Sequence, residues 1–323
     1  MERIAITMGE PGGIGPEVAL KAAASTRNVC VPVLVGDAGV FRALRGRLGI
    51  DATLREVSSP EEAAPEFVAL VDTGRAGGFR VGAPTAEGAV ASVNAIRRAV
   101  ALAMEGRVHA LVTSPISKEA LKMAGFGWPG HTEMLAELTG AGEYTMMLVG
   151  GNLRVILVTI HSSLKDVPAL ITNESVARTL RLAALAAEML GIGSPRIAVA
   201  GLNPHAGEAG MFGHEENDII APAVEAARRG GLPVEGPYPP DTVYFKAARG
   251  EFDMVVSMYH DQGLIPLKLL AFESGVNVTV GLPIIRTSPD HGTAYEIAGK
   301  GTANPSSTIE AVKLALRLRL PGP

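Results

Sequence analysis

Short β-branched runs alternate with longer alanine-rich stretches along this chain. The alternation confines it to a largely parallel sheet covered by helices, because each helical crossover returns the next strand in the same direction as the last. Runs at 3–8, 31–35, 110–113, 153–159, 196–200, 254–257 and 276–280 read as strands. Between them, Asn173 stands where it would cap a helix whose face is Val176, Leu180, Ala183, Ala187 and Leu190, with Gly191 as its stop. Residues 85–105 read the same way, from Thr85 to Gly106, and Ser307 and Glu310 have capping-box spacing near the C-terminus. One segment breaks the parallel pattern. In YTMMLVGGNLRVILV two apolar runs flank Gly150, Gly151 and Asn152, which predicts an antiparallel hairpin.

At 323 residues the chain fits two domains of ordinary size, yet no repeat or Pro/Gly/Ser-rich linker separates two halves. A discontinuous arrangement is as open as two consecutive domains. The apolar share of 47% supplies a sizeable core, and a net charge of −4 without a long basic run argues against nucleic acid as a partner. Cys30 is the only cysteine, which excludes an intrachain disulfide and a CxxC metal knuckle and fits a reducing compartment. The apolar run in MERIAITMGEP is too short for a signal peptide, and no stretch of about 18 apolar residues occurs, so a cytoplasmic protein without a membrane span is expected.

Three histidines each stand just past a strand-like run: RVILVTI precedes His161, RIAVAGLN precedes His205 and DMVVSMY precedes His260. Ligands of α/β sheets collect at the carboxyl ends of strands, so three imidazoles delivered there can surround one metal ion. A single histidine is more often a hydrogen-bonded structural residue, and His109, His131, His214 and His291 carry only that weight by themselves. The three are distinguished by position, since GLNPHAGE and MYHDQG are turn-rich and polar. The N-terminal TMGEPGGIGPE follows a strand and precedes a helix, where a phosphate-binding turn would sit, but it lacks the GxGxxG spacing. Asp37, 22 residues after Gly15, is the position a Rossmann fold would use for ribose; a plain tight turn is the reading preferred.

Residues 290–305, DHGTAYEIAGKGTANP, resemble the adenosine-binding loop of the isopropylmalate and isocitrate dehydrogenases, and GIGPE resembles the opening turn of that superfamily. Within it, TMGEPGGIGPE, SPISKEAL, PGHTE, GLNPHAGE, PPDT, MYHDQGLIPLK, GVNVTVGLPIIRTSPDHGTA and AGKG together resemble the 4-hydroxythreonine-4-phosphate dehydrogenase family of pyridoxal phosphate biosynthesis. The resemblance implies two α/β/α domains with a mostly parallel sheet and an active-site cleft between them. A discontinuous domain of residues 1–130 and 268–323 would carry the glycine turn and the dinucleotide loop, and residues 131–267 the metal-site histidines and dimer contacts. It further implies NAD or NADP, one divalent ion per subunit (Zn, Mg or Co) held by His161, His205 and His260, and a homodimer with active sites shared between subunits. The expected division draws His161 and His205 from one chain and His260 from its partner.

The same resemblance assigns His131, Thr132, Lys268, Asn277 and Arg286 to the substrate, and Gly12, His291, Gly292, Thr293, Gly299 and Asn304 to the dinucleotide. Asp241, Asp261 and Lys268 become the candidate catalytic groups. The implied reaction is oxidation, with decarboxylation, of a small phosphorylated 3-hydroxy acid: 4-phosphohydroxy-L-threonine giving 3-amino-2-oxopropyl phosphate. PISKEAL, PPDTV, MVVSMYHDQG and PLKLL resemble more closely the branch acting on 4-phospho-D-threonate and 4-phospho-D-erythronate, which keeps that substrate class open. A metallohydrolase would also use three histidines and an activated water, and a binding protein would keep the fold without turnover; the adenosine-like loop argues against the first.

Overall fold

The computed structural model describes residues 1–322. Its strands are β1 (Arg3–Thr7), β2 (Val31–Gly36), β3 (Leu54–Glu56), β4 (Val68–Asp72), β5 (Ala110–Val112), β6 (Thr145–Gly150), β7 (Leu153–Leu157), β8 (Ile197–Ala200), β9 (Val234–Tyr238), β10 (Met254–Ser257), β11 (Val276–Val280) and β12 (Arg286–Pro289). The chain forms two compact units, one of residues 1–141 and 282–318, the other of residues 142–281 with the chain from Arg319 onward.

In the first unit the strand order is β3-β4-β2-β1-β5-β12, and every pairing is parallel. All six residues of β2 and four of the five of β1 are buried, because helices cover both faces of such a sheet. That is why these strands read as continuous apolar runs without alternation. In the second unit the order is β11-β6-β7-β10-β8-β9; β6 is antiparallel to β11 and to β7, and the remaining pairs are parallel. The predicted hairpin is the β6–β7 pair, with Gly150 opposite Leu153 and Gly151 in the left-handed region at φ 57°.

The chain is discontinuous, but its crossings fall at 141/142 and 281/282, whereas the expected ones were 130/131 and 267/268. The helix His131–Thr139 completes within the first unit and stops at left-handed Gly140. The helix His260–Ala271 runs unbroken through position 268 and buries Leu264 and Leu267 against Leu148, Val155, Leu157 and Val255. His131 and Thr132 therefore belong to the first unit, and Lys268 and Asn277 to the second. No helix among the described residues is long and apolar enough to cross a membrane.

Two caps differ from expectation. Thr172, not Asn173, caps the helix Asn173–Met189: its hydroxyl accepts from the Ser175 amide at 3.0 Å, and the Ser175 hydroxyl accepts from the Thr172 amide at 2.9 Å. Near the C-terminus, Ser307 lies inside the helix Ser306–Arg317 and its hydroxyl accepts from the Asp290 amide, while Glu310 pairs with Lys313; no Ser307–Glu310 box forms. Replacing Thr172 by Ala should cost about 1 kcal/mol of stability and Asn173 by Ala much less. Urea midpoints of the two variants check this.

Candidate active site

β7, β10 and β8 are consecutive parallel neighbours, so the segments leaving their carboxyl ends emerge side by side. Those segments carry His161, His260 and His205. The rings of His161 and His260 stand 5.4 Å apart, centroid to centroid, on a cavity of about 460 Å³ also lined by Tyr259, Asp261, Leu164 and Ile265. His260 Nδ1 and Asp261 Oδ1 are 2.7 Å apart. With Nδ1 donating to that carboxylate, the imidazole keeps Nε2 as its ligating nitrogen, as metal-binding histidines commonly do. Buried Gln262 joins two of the strand ends: its carbonyl accepts from the Met258 amide at 2.7 Å and its amide donates to Gly201 O at 2.7 Å.

His205 is not among the residues lining that cavity; its ring faces Phe212 at 6.0 Å. Among the described residues no group of three or more His, Cys, Asp or Glu side chains is arranged to hold a metal ion. The expected division draws His161 and His205 from one chain; within this chain the ring that stands beside His161 is that of His260. β10 lies between β7 and β8, so the residues beyond β7 meet those beyond β10 first.

The cause of His205's placement is local. Residues His205 to Ala209 all have positive φ, between 42° and 82°, a left-handed turn in which only Gly207 lacks a Cβ. Left-handed L-residues cost about 1–2 kcal/mol each, so the surroundings must hold this turn. Glu216, 2% exposed, does so: Oε1 accepts from the Leu202 and Asn203 amides, both at 2.7 Å, and Oε2 from Asn203 Nδ2 at 3.0 Å. A Cβ on Gly207 would lie 2.7 Å from the same carboxylate.

The first unit gathers a different set. Arg286, 2% exposed, donates from Nε and Nη2 to the hydroxyl of buried Thr113 at 3.1 and 2.7 Å. Burial brings its pKa down to about 9, partly offset by the Glu133 carboxylate, which leaves it cationic at neutral pH. Burial, and then the charge of Arg286, hold His131 well below the usual histidine range, so its ring is neutral. His131 Nε2 is closed to solvent and has no hydrogen-bond partner. His131 and buried Thr132 open the helix His131–Thr139, whose first amides point outward without intrahelical acceptors. A fixed cation, a neutral imidazole and a helix N-terminus together suit a small anion.

The glycine turn packs against the protein itself. A Cβ on Gly12 would lie 2.6 Å from the carbonyls of Arg80 and Ala83, and one on Gly13 would lie 2.7 Å from Thr293 O, which also accepts from the Ile14 amide at 2.9 Å. Asp37 is occupied as the cap of the helix Ala38–Leu48, accepting from the Gly39 and Val40 amides, which removes the Rossmann reading. On the loop after β12, Gly292 has nothing within 4 Å of a Cβ position, His291 Nδ1 lies 3.1 Å from Gly292 O, and Gly299 is left-handed at φ 73°. Asn304 Oδ1 is taken by the Ser306 amide and hydroxyl. Asp241 is exposed in the first turn of the helix Pro240–Ala248. Lys268 lies on the helix His260–Ala271 with Nζ 5.8 Å from the Phe272 ring, and Asn277 sits on β11 with a buried, unpartnered Oδ1.

Sequence reasoning missed Thr113, Glu216 and Glu10. Thr113 and Glu216 act only through partners brought by the fold, and Glu10 carries its signal in its neighbours: a carboxylate between Gly9 and Pro11 at the end of a buried strand. Glu10 is fully buried, its Oε1 accepts from the Gly12 amide at 3.3 Å, and its Oε2 has no partner. Burial raises its pKa from 4.5 to about 7, the Gly12 hydrogen bond offsetting a little.

The family model described as pyridoxal phosphate biosynthetic protein PdxA matches residues 28–315. A 4-hydroxythreonine-4-phosphate dehydrogenase of Desulfosudis oleivorans is 50% identical over 320 residues, covering 97% of this chain and 95% of the relative. A D-threonate 4-phosphate dehydrogenase of Cupriavidus necator is 48% identical over 321 residues, covering 98% and 96%. The crystal structure of a 4-hydroxythreonine-4-phosphate dehydrogenase from Klebsiella pneumoniae superposes with a TM-score of 0.90 at 44% identity, covering 98% of this chain and 99% of that one. Fold and full-length similarity define an oxidoreductase that acts on a CH–OH group. The chain belongs to the PdxA family of pyridoxal phosphate biosynthetic proteins.

Because the folded pKa of Glu10 lies above 4.5, its contribution to stability is whole below that pH, declines as the unfolded chain ionises, and is lost above about 7. Glu10→Gln cannot ionise. Its melting temperature should exceed that of the parent at pH 8, with the advantage shrinking toward pH 5; equal shifts at both would contradict a proton held at Glu10.

Proposed function

We propose that the chain oxidises a phosphorylated 3-hydroxy acid with NAD or NADP and that the product then loses CO2. 4-Phosphohydroxy-L-threonine, giving 3-amino-2-oxopropyl phosphate, is the substrate assigned first. The observation that carries this reading is the buried anion site: Arg286 fixed by Thr113, beside neutral His131 with an unpartnered Nε2. Arg286 offers a planar fork to carboxylate or phosphate, and His131 offers a hydrogen bond without adding charge. Lys268 and Asn277, and the backbone of the helix start at Thr132, are assigned to the same substrate. The similarity to the Cupriavidus necator D-threonate 4-phosphate dehydrogenase keeps 4-phospho-D-threonate or 4-phospho-D-erythronate as the second reading.

Oxidation removes a proton from the hydroxyl and a hydride from its carbon, which passes to the dinucleotide. The new ketone stands β to the carboxylate, so CO2 leaves with its bonding electrons delocalised onto the ketone oxygen. A divalent ion, bound by imidazoles, would supply Lewis-acid polarisation of that oxygen. His161 and His260 fit such an ion as a pair, with Asp261 orienting His260. The dinucleotide is assigned to residues 290–304, where Gly292 leaves the backbone open to a ligand, with His291, Thr293, Gly299 and Asn304 around it. Gly12 is assigned to the dinucleotide as well. Asp241 is kept as an acidic group of the metal region.

Initial rates of NAD and NADP reduction with 4-phosphohydroxy-L-threonine and with 4-phospho-D-threonate, measured side by side, test the reading. Arg286→Ala should lower kcat/KM at least about thirtyfold, since removing one partner of a desolvated charge pair costs about 2–5 kcal/mol. Equal turnover of the unphosphorylated acid would overturn the anion site.

The third imidazole is assigned to His205 of a second copy, in a homodimer. Support comes from an apolar face on the helix that bears His260: Ile265 is 60% exposed, Leu269 83% and Phe272 76%, with Leu164 at 69% beside the histidine cavity. Apolar side chains at that spacing make a stripe that another surface covers, and a two-fold axis repeats each contact to give two sites. Mixing inactive His205→Ala and His260→Ala chains under subunit exchange should restore about a quarter of parental activity, because half the dimers are mixed and each has one intact site. Mixing His161→Ala with His260→Ala should restore none, since those two ligands are drawn from one chain. Recovery in the second mixture would return the division to the one first expected.

A further inference from the structure

The helix Gly15–Thr26 carries Glu17 and Lys21 one turn apart, and both reach residues 301–303, some 280 positions later in the chain. Lys21 Nζ donates to Glu17 Oε1 at 2.7 Å, to Gly301 O at 2.9 Å and to Ala303 O at 2.8 Å, which uses all three of its protons. Glu17, 1% exposed, accepts from the Ala303 amide through Oε1 at 2.9 Å and from the Gly301 amide through Oε2 at 3.3 Å. Beneath the pair, Ile14 and Val18 pack on Ala298 and Ala303. The segment it grips has no regular structure from Ala298 to Asn304 and turns through left-handed Gly299 and Gly301. Its shape therefore depends on what holds it from outside.

We propose that Glu17 and Lys21 are positioning residues for the dinucleotide: they fix the 299–304 loop in its binding conformation and so set affinity for NAD(P) without touching the substrate. This rests on the reading that residues 290–304 hold the dinucleotide. The ion pair is mostly buried, so each charge needs the other; removing one leaves its partner desolvated among backbone groups it cannot satisfy. A loop that then samples its binding shape only part of the time binds its ligand more weakly in proportion to that fraction.

The test uses the full-length protein, with NADH and NADPH fluorescence titrations and steady-state kinetics on the phosphorylated acid. Lys21→Met and Glu17→Gln should each raise the dinucleotide Kd roughly tenfold or more, while the substrate KM at saturating dinucleotide stays within about twofold. Amide exchange should quicken across 298–304 and stay slow in β1 and β5. Gly292→Val separates this inference from the reading beneath it, because a Cβ there has no protein atom within 4 Å beyond its chain neighbours, which leaves that side open to a ligand. Weakened binding in Gly292→Val with parental Kd in both other variants would overturn the clamp and leave the loop assignment standing. Parental Kd in all three would overturn both. Equal losses in dinucleotide Kd and substrate KM would show general structural support and would also overturn the clamp.

Discussion

Parallel strand pairing is the constraint on which the rest depends. When neighbouring strands run the same way, everything that follows them leaves from the same edge, and side chains from distant sequence are delivered together. In the second unit this brings the segments after β7, β10 and β8 side by side, with His161, His260 and His205 on them. In the first unit the segments after β1, β5 and β12 share an edge in the same way; these are the glycine turn, the Thr113–Ser114 segment and the dinucleotide-like loop.

At those edges the molecule spends buried polar groups on holding backbone shape. Glu216 satisfies the amides that lead into a left-handed turn, Gln262 bridges two strand ends, Thr113 fixes one edge of the Arg286 guanidinium, and Asp37 caps a helix. Each is hydrogen-bonded where an apolar residue would leave donors unsatisfied at a cost of about 1–3 kcal/mol apiece. Among the exceptions are His131 Nε2, Glu10 Oε2 and Asn277 Oδ1, buried with no partner among the described residues. His131 and Asn277 stand at positions assigned to substrate, which gives their missing partners a chemical meaning.

Much of the fold was legible. The apolar runs at 3–8, 31–35, 110–113, 153–159, 196–200, 254–257 and 276–280 all contain strands, and the GGN turn predicted the β6–β7 hairpin. β3, β4, β9 and β12 were not read as strands: LRE, VEGPY and RTSP carry little apolar signal and owe their pairing to the strands beside them, whereas VALVD in β4 carries an apolar run that the reading left out. Thr172 was passed over for Asn173 because both are good caps by composition and only the entry angle of the chain decides between neighbours. The domain crossings fall 11 and 14 residues beyond the expected ones (141 against 130, 281 against 267) for a related reason. Motif spacing shows where chemistry sits, whereas the crossings follow the ends of the elements that share a core.

The order of amino acids by itself determined the α/β class, the positions of three histidines past three strands, and, through its motifs, the membership of a dehydrogenase family, because periodicity and rare motifs are local properties. Tertiary structure alone decided that the ring of His161 stands beside that of His260, while a left-handed turn at 205–209 sets His205 against Phe212. It also decided that Glu17 and Lys21 grip a loop 280 residues away and that Arg286 is buried against Thr113. Spacing along a chain carries no information about which distant backbone a side chain will meet; that is settled when the sheet closes and the helices pack on it.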